Sequence, residues 1–245
     1  MAFGEVVKRV RAVDLDPMMV PLGLLVLGVY HAWLLLTILR RPNRTVIGLN
    51  ALARKRWVRA IMSDPMKNGV LAVQTLRNNI MASTVLATTA ITLSSLISVF
   101  VGVTTTATTT LTLPTMSFPP DNTTNTHLAS IKFFSISLCF LLAFLCNVQS
   151  IRYYAHCSFL LTTPASIEGG GGISVAYVTR NLNNGCFFWS LGMRAFYVSF
   201  TLFLWIFGPV LMFISCVVMC CLLYFLDTAS ESARDIHDLF SGDQD

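Results

Sequence analysis

Residues 78–120 read NNIMASTVLATTAITLSSLISVFVGVTTTATTTLTLPTMSFPP, and none of them carries a charged side chain. A helix needs about 20 consecutive apolar residues to cross the hydrocarbon core of a bilayer. Three further long stretches also carry no charge, and the four stretches together make up nearly half of the chain. They are residues 17–39, 133–151 and 195–226. The sequence therefore predicts an integral membrane protein.

The overall composition supports this prediction. Hydrophobic residues make up 54% of the chain and charged residues only 12%, whereas soluble domains have about 25% charged residues. The net charge of +5 comes from basic residues that flank apolar stretches, so no nucleic-acid partner is expected. The predicted fold is all-α, a polytopic transmembrane four-helix bundle with a cytoplasmic amphipathic helix. The four spans are predicted near residues 18–39, 80–103, 131–151 and 195–226.

The fourth span is too long for a simple crossing. At 1.5 Å per residue, residues 195–226 would extend about 48 Å, beyond a core of roughly 30 Å. Gly208 and Pro209 lie near its middle, and a proline removes a helix hydrogen bond and kinks the axis. This span is therefore expected to be tilted, kinked or preceded by an interfacial turn.

The distribution of lysine and arginine predicts the orientation. Most of the 17 basic residues lie between spans one and two and between spans three and four, and cytoplasmic loops carry such an excess. Both termini are then expected on the non-cytoplasmic side of a plasma membrane or endomembrane. Residues 1–17 form an N-terminal segment, 18–226 the membrane domain and 227–245 an acidic tail. Asn122 begins an Asn-Thr-Thr sequon and is a candidate glycosylation site on an outer loop.

Residues 45–62 are predicted to form a basic amphipathic helix beside the membrane. Such helices lie on anionic headgroups, so its basic residues are candidates for lipid binding. These are Arg54, Lys55, Arg56 and Arg59. The alternative is that the helix only fixes the topology and packs beneath the bundle.

The second span has an unusual number of hydroxyl groups on one helical face. Small and hydroxyl residues let membrane helices approach one another, but the same stripe could line a water-filled path. Packing needs no further assumption and is the preferred interpretation. The residues of this hydroxyl stripe are Thr84, Thr88, Thr92, Ser95 and Ser98.

Few ionisable groups lie at membrane depth. His31, Arg77, Arg152 and Arg194 are candidate pore or helix-packing residues. No carboxylate lies inside a predicted span, and anion paths use arginine or lysine. A path, if one exists, is therefore expected to favour anions. The alternative is that the arginines extend from helix ends to the interface and that His31 forms a hydrogen bond between helices.

Enzymatic chemistry has no support in the sequence. The histidines are scattered, no nucleophile motif occurs and the seven cysteines include no CxxC pair, so no enzyme activity, metal or cofactor is expected. One faint internal repeat joins residues 76–79, LRNN, to residues 180–184, RNLNN. Two helical hairpins in parallel orientation would give this pattern, although chance similarity explains it equally well.

Three segments resemble a known family. Residues 74–101, QTLRNNIMASTVLATTAITLSSLISVFV, residues 153–164, YYAHCSFLLTTP, and residues 192–209, GMRAFYVSFTLFLWIFGP, are similar to the plant membrane proteins grouped as domain of unknown function 599. The resemblance covers roughly residues 20–225. It implies a plant multi-pass membrane protein and implies no reaction.

Two functions remain as hypotheses. The first is a channel or transporter subunit with an anionic bias, expected to be a homo-oligomer because four spans with few buried polar groups make a poor pore alone. The alternative is a non-transporting scaffold that binds anionic lipids or partner proteins through the basic helix.

Overall fold

The computed structural model describes residues 2–41, 45–110, 122–162 and 174–228, and within these ranges the chain forms six helices and no strand. The side chains of residues 2–15, 101–110 and 122–128 are excluded from the description. The helices are α1 (Ala2–Arg40), α2 (Val46–Ser63), α3 (Pro65–Thr110), α4 (Asn122–Thr162), α5 (Val175–Leu204) and α6 (Pro209–Asp227). The predicted all-α polytopic class is confirmed. Residues 2–17, predicted as a separate segment, are the first turns of α1.

Five helices, rather than the predicted four, are long and apolar enough to cross a membrane. They are Asp16–Arg40, Pro65–Phe100, Ala129–Thr162, Val175–Leu204 and Pro209–Asp227. The predicted fourth span, residues 195–226, belongs to two helices that meet at a turn. Gly208 adopts a φ of 157°, which favours glycine, and Pro209 begins α6. The first half of α5 was missed because Arg180 and Arg194 interrupt its apolar sequence.

Contacts between the helices give their directions. Gly69 lies against Thr162, and Ser94 forms a hydrogen bond with Ser137. Later residues of α3 thus meet earlier residues of α4, so the two helices are antiparallel. In the same way α4 is antiparallel to α5, and α5 to α6. By contrast, α1 runs parallel to α6, since Gly23 lies against Cys216 and the Tyr30 hydroxyl donates a hydrogen bond to Asp227. The bundle therefore has a basic end, where α1, α4 and α6 finish, and an opposite end, where α3 and α5 finish.

The number of candidate spans bears on the predicted placement of the termini. Asp16 lies at the opposite end, whereas Thr228 lies at the basic end, where an isolated bridge joins it to Thr45. The expectation that both termini share one face of a membrane followed from an even number of spans, whereas the described residues form five helices long enough to cross. The placement of the termini stays a prediction.

Two clusters of buried apolar side chains hold the bundle together. The larger cluster lies among the spans and includes Leu27, Ile136, Phe140 and Met212. The second lies at the basic end, where α2 contributes buried Val58, Ile61 and Met62 against α3, α4 and α5. Burying a side chain of this size contributes about 1.5–3 kcal/mol. The predicted basic helix is thus α2, and it packs beneath the bundle as a fixed part of the fold.

Candidate functional site

The hydroxyl stripe of α3 faces outward in the single chain. Thr84, Thr92 and Ser95 are exposed, and each donates a hydrogen bond to a backbone carbonyl one turn earlier on α3, at 2.7–2.8 Å. Thr88 and Ser98 are exposed and bonded in the same manner. Within one chain the stripe therefore neither packs α3 on its neighbours nor lines a path between them. The neighbouring face does the packing: buried Ser94 lies 2.7 Å from Ser137 of α4.

The candidate arginines do not converge. Arg77 and Arg152 are exposed on different helices. Arg194 is nearly buried, and its Nη2 donates to both carboxylate oxygens of Asp227 at 2.8 Å. The Tyr30 hydroxyl donates to the same carboxylate at 2.7 Å. Asp227 therefore balances the charge of Arg194, which makes Arg194 a link between α5 and α6 rather than an available anion site.

His31 also acts within its own helix. Its Nδ1 lies 2.8 Å from the carbonyl oxygen of Leu27, one turn earlier on α1. The hydrogen bond between helices that was considered for His31 is absent among the described residues, and the histidine ring instead lies edge-on to Tyr30. The ring therefore contributes to the surface of α1.

A second ion pair at the opposite end was not anticipated from the sequence. The Nζ of Lys132 lies 3.2 Å from Oδ2 of Asp16, and Trp205 donates from Nε1 to Oδ1 of the same carboxylate at 3.3 Å. Lys132 also lies 5.0 Å from the centre of the Trp205 ring. Asp16 and Tyr30 are separated along α1 by about 21 Å. The two ion pairs thus hold α1 against α4, α5 and α6 at two levels.

The basic end presents a surface with strong charge asymmetry, here called the basic surface. Among the described side chains at this end, Asp64 is the one exposed carboxylate, because Asp227 is buried in its ion pair. Lys55 and Arg59 belong to this surface, whereas Arg56 is half-buried and Arg54 turns inward. The exposed basic residues are Arg40, Arg41, Lys55, Arg59, Lys67, Arg77, Arg152 and Arg180.

A cavity of about 540 Å³ opens at the same end between α2, α3, α4 and α5. Four asparagine amides, the Arg54 guanidinium and the ring of Trp189 are among its lining groups, and it is called the amide pocket below. The Nε of Arg54 donates to Oδ1 of Asn183 at 2.7 Å. The four asparagines are Asn50, Asn79, Asn183 and Asn184.

The faint sequence repeat explains why the asparagines meet. Asn79 belongs to the first copy, LRNN, and Asn183 and Asn184 belong to the second, RNLNN. Both α3 and α5 run antiparallel to α4, so the two copies lie parallel and at the same level. Asn50 and Arg54 are supplied by α2, one helical turn apart. The pocket thus combines a motif visible in the sequence with a helix whose placement is set by packing.

Two glycines of α5 let it approach α4 closely beside the pocket. A Cβ on Gly185 would lie 3.0 Å from the ring of Tyr154, and a Cβ on Gly192 would lie 2.6 Å from Nδ2 of Asn147. The Tyr154 hydroxyl donates to the Cys186 sulfur at 3.3 Å. Small residues allow membrane helices to pack at short distance, so these contacts fix the wall of the pocket.

A comparison with protein-family models now identifies the chain. The model described as "Protein of unknown function, DUF599" matches residues 18–232. The chain belongs to this family. The matched range includes α2, the amide pocket and the Arg194–Asp227 pair, and it confirms the family suggested by the three sequence segments. Among curated proteins and among solved structures, no chain matches this one.

Three predictions about the DUF599 chain remain, on glycosylation at Asn122, on the acidic tail and on metal binding. Asn122 begins α4, and its side chain lies outside the described residues, as does the acidic tail from residue 229 onward. Within the described part of the chain, no group of three or more histidine, cysteine, aspartate or glutamate side chains could hold a metal ion. The candidate site is the basic end, with the basic surface and the amide pocket.

Proposed function

We propose that this DUF599 protein is a non-enzymatic, non-transporting membrane protein that binds anionic lipids at its basic end, and that this end faces the cytoplasm. The observation that carries the proposal is the basic surface. Among the described residues it has many exposed basic side chains and one exposed carboxylate. Cytoplasmic loops carry an excess of lysine and arginine. Each such residue near an anionic leaflet contributes about 1 kcal/mol of attraction.

The fixed position of α2 strengthens this attraction. Val58, Ile61 and Met62 are buried against the bundle, so the helix that carries the exposed Lys55 and Arg59 has a fixed position at the basic end. A preorganised surface loses less conformational freedom on binding than a flexible one. We therefore expect the basic surface to recruit anionic lipids from the surrounding bilayer without a large rearrangement.

The channel or transporter hypothesis stays a prediction. Within one chain, Arg77 and the hydroxyl stripe are exposed on α3, whereas Arg152 is exposed on α4 and Arg194 is held in its ion pair. A path formed by these residues would therefore have to run between copies of the chain, with the stripe of α3 at the contact. Flux through liposomes that contain the purified oligomer, reduced by Thr88→Val, would favour this alternative over the proposed function.

The proposed function predicts selective stabilisation by anionic lipid. We expect phosphatidylglycerol to raise the thermal midpoint of the purified protein more than phosphatidylcholine does. The difference should shrink at high salt, because exposed charges are screened over about 10 Å at 0.1 M ionic strength. Replacing Lys55 and Arg59 with glutamine should reduce the difference, whereas Lys55→Arg with Arg59→Lys should preserve it. Equal stabilisation by the two lipids would reject the proposal.

The proposed orientation predicts which sequons become glycosylated. In microsomes, we expect the Asn122 sequon to be modified and a sequon appended after Asp245 to remain unmodified, because glycosylation occurs on the lumenal side. The Asn122→Gln variant provides the control for the first result. Modification of the appended sequon would place the basic end in the lumen and contradict the orientation.

A further inference from the structure

We propose that the amide pocket is a specific site for the phosphate-bearing head of an amphipathic molecule, with Arg54 as the charged partner of the phosphate. This deepens the proposed function and rests on it for the source of the ligand, a phospholipid of the cytoplasmic leaflet. The basic surface attracts anionic lipids in general, whereas the pocket holds one headgroup in defined contacts.

The charge of the amide pocket comes from Arg54. Arg54 is the one charged residue that lines the pocket among the described side chains. Its Nε is fixed by Asn183, while its two terminal nitrogens donate to no described residue. A guanidinium presents paired N–H donors whose geometry matches phosphate oxygens. The hydrogen bond at Nε orients this group before a ligand arrives, and its terminal donors remain available for an anion.

Three asparagine side chains add hydrogen-bonding groups to the pocket. Asn79 and Asn184 are half-buried, Asn50 is exposed, and none of the three side-chain amides forms a hydrogen bond with a described residue. Each amide can donate two hydrogen bonds and accept others, and such capacity in a partly enclosed site is directed to water or to a ligand. Several neutral donors beside a single cation suit a phosphate diester, which carries one negative charge and many acceptor oxygens.

The pocket lies where the charged part of the bundle meets its apolar surface. Asn79 lies between exposed Arg77, the last charged residue of this part of α3, and the exposed apolar side chain of Met81. On α5, Phe187 and Trp189 line the pocket and are 54% and 39% exposed. Tryptophan is enriched at the level of lipid headgroups. A headgroup in the pocket would thus leave its acyl chains beside the apolar surface of the spans.

Size agrees with an amphipathic ligand. Ligand pockets typically have volumes of about 300–1,000 Å³, and this cavity of about 540 Å³ lies within that range. A lone phosphate would leave most of the space unfilled, whereas a phosphate with its glycerol unit would fill more of it. Among the described residues, none that lines the pocket carries a carboxylate, so the pocket does not suit a cationic head.

Native mass spectrometry of the purified protein tests this site. The protein is equilibrated with mixed phosphatidylglycerol and phosphatidylcholine, and retained lipids are counted during stepwise delipidation. We expect one phosphatidylglycerol to survive longest and Arg54→Gln to weaken its binding about tenfold or more, as for a lost charge-assisted hydrogen bond. Lys55→Gln, one residue away on the basic surface, should weaken the binding of this longest-retained lipid less than Arg54→Gln does. Asn184→Asp, which places a like charge in the pocket at nearly constant volume, should also weaken it.

The outcomes separate the pocket from the proposed function. If Arg54→Gln, shown to be folded by circular dichroism, and Lys55→Gln lose lipid equally, the pocket is not a site although the basic surface still binds lipid. If the unmodified protein retains both lipids equally, the pocket and the proposed function both fail. Inorganic phosphate is then added to delipidated protein. Arg54-dependent phosphate binding without retained lipid would assign the site to a soluble anion and overturn the lipid source.

Discussion

The Asp227→Asn variant is expected to have a free energy of unfolding about 3–5 kcal/mol lower than the unmodified protein. Removing one partner of a buried ion pair leaves the other charge uncompensated, and this range is typical of that loss. Here the side chains of Arg194 and Asp227 are only 13% and 11% exposed. The same change weakens the hydrogen bond from Tyr30, so it loosens α6 from both α5 and α1. Unfolding by SDS in mixed micelles measures the effect.

Two controls isolate the ion pair. Asp64→Asn makes the same chemical change at an exposed residue that caps α3 through the backbone N–H of Lys67. This change should lower the free energy of unfolding only slightly, because asparagine is also a good N-cap. The Arg194→Leu, Asp227→Leu double variant should be more stable than Asp227→Asn, since no buried charge is left alone. A loss for Asp227→Asn no larger than that for Asp64→Asn would contradict the structural role of the pair.

Gly192→Ala is expected to destabilise the protein by about 1–3 kcal/mol, the usual effect of adding a methyl group to a well-packed contact. The new Cβ would lie 2.6 Å from Nδ2 of Asn147. Asn147 cannot yield easily, because it is fully buried and its Nδ2 donates to the Ala143 carbonyl at 2.8 Å. Helices α4 and α5 must therefore separate, or that hydrogen bond must be lost.

The matched control for this substitution is Gly28→Ala on α1. A Cβ at Gly28 would meet no atom within 4 Å, and alanine is favoured over glycine in a helix by up to about 1 kcal/mol. This variant should be as stable as the unmodified protein or slightly more stable. If Gly192→Ala behaves like Gly28→Ala in the same SDS titration, the close approach of α4 and α5 is wrong.

The location of the spans was predictable because the absence of charge is a strong signal. Residues 18–39 and 131–151, predicted as spans, lie within α1 and α4. The number of spans was harder to predict, because α5 mixes polar and apolar residues and residues 195–226 were treated as one span, expected to be tilted, kinked or preceded by an interfacial turn. A partly buried helix can keep Arg194 within it when a carboxylate such as Asp227 lies on a neighbouring helix, and the linear sequence does not show that pairing.

The direction of the hydroxyl stripe was equally difficult to predict. On α3, buried Ser83 and Ser94 lie one position away from exposed Thr84 and Ser95. Both faces carry small or hydroxyl side chains, so the choice of the buried face depends on the packing of α3 against α4. The inward position of Arg54 did leave a signal. It is spaced four and seven residues from buried Val58 and Ile61, which places it on the face of α2 that packs against the bundle.

An experimental structure of the protein in a nanodisc that contains phosphatidylglycerol tests the claim that a lipid headgroup occupies the amide pocket. We predict headgroup density in this pocket, with phosphate oxygens within hydrogen-bonding distance of the Arg54 terminal nitrogens and the Asn184 amide. The acyl chains should extend past Trp189 into the bilayer. A pocket that holds only water, with phosphatidylglycerol no more ordered around the basic end than phosphatidylcholine, would contradict the claim.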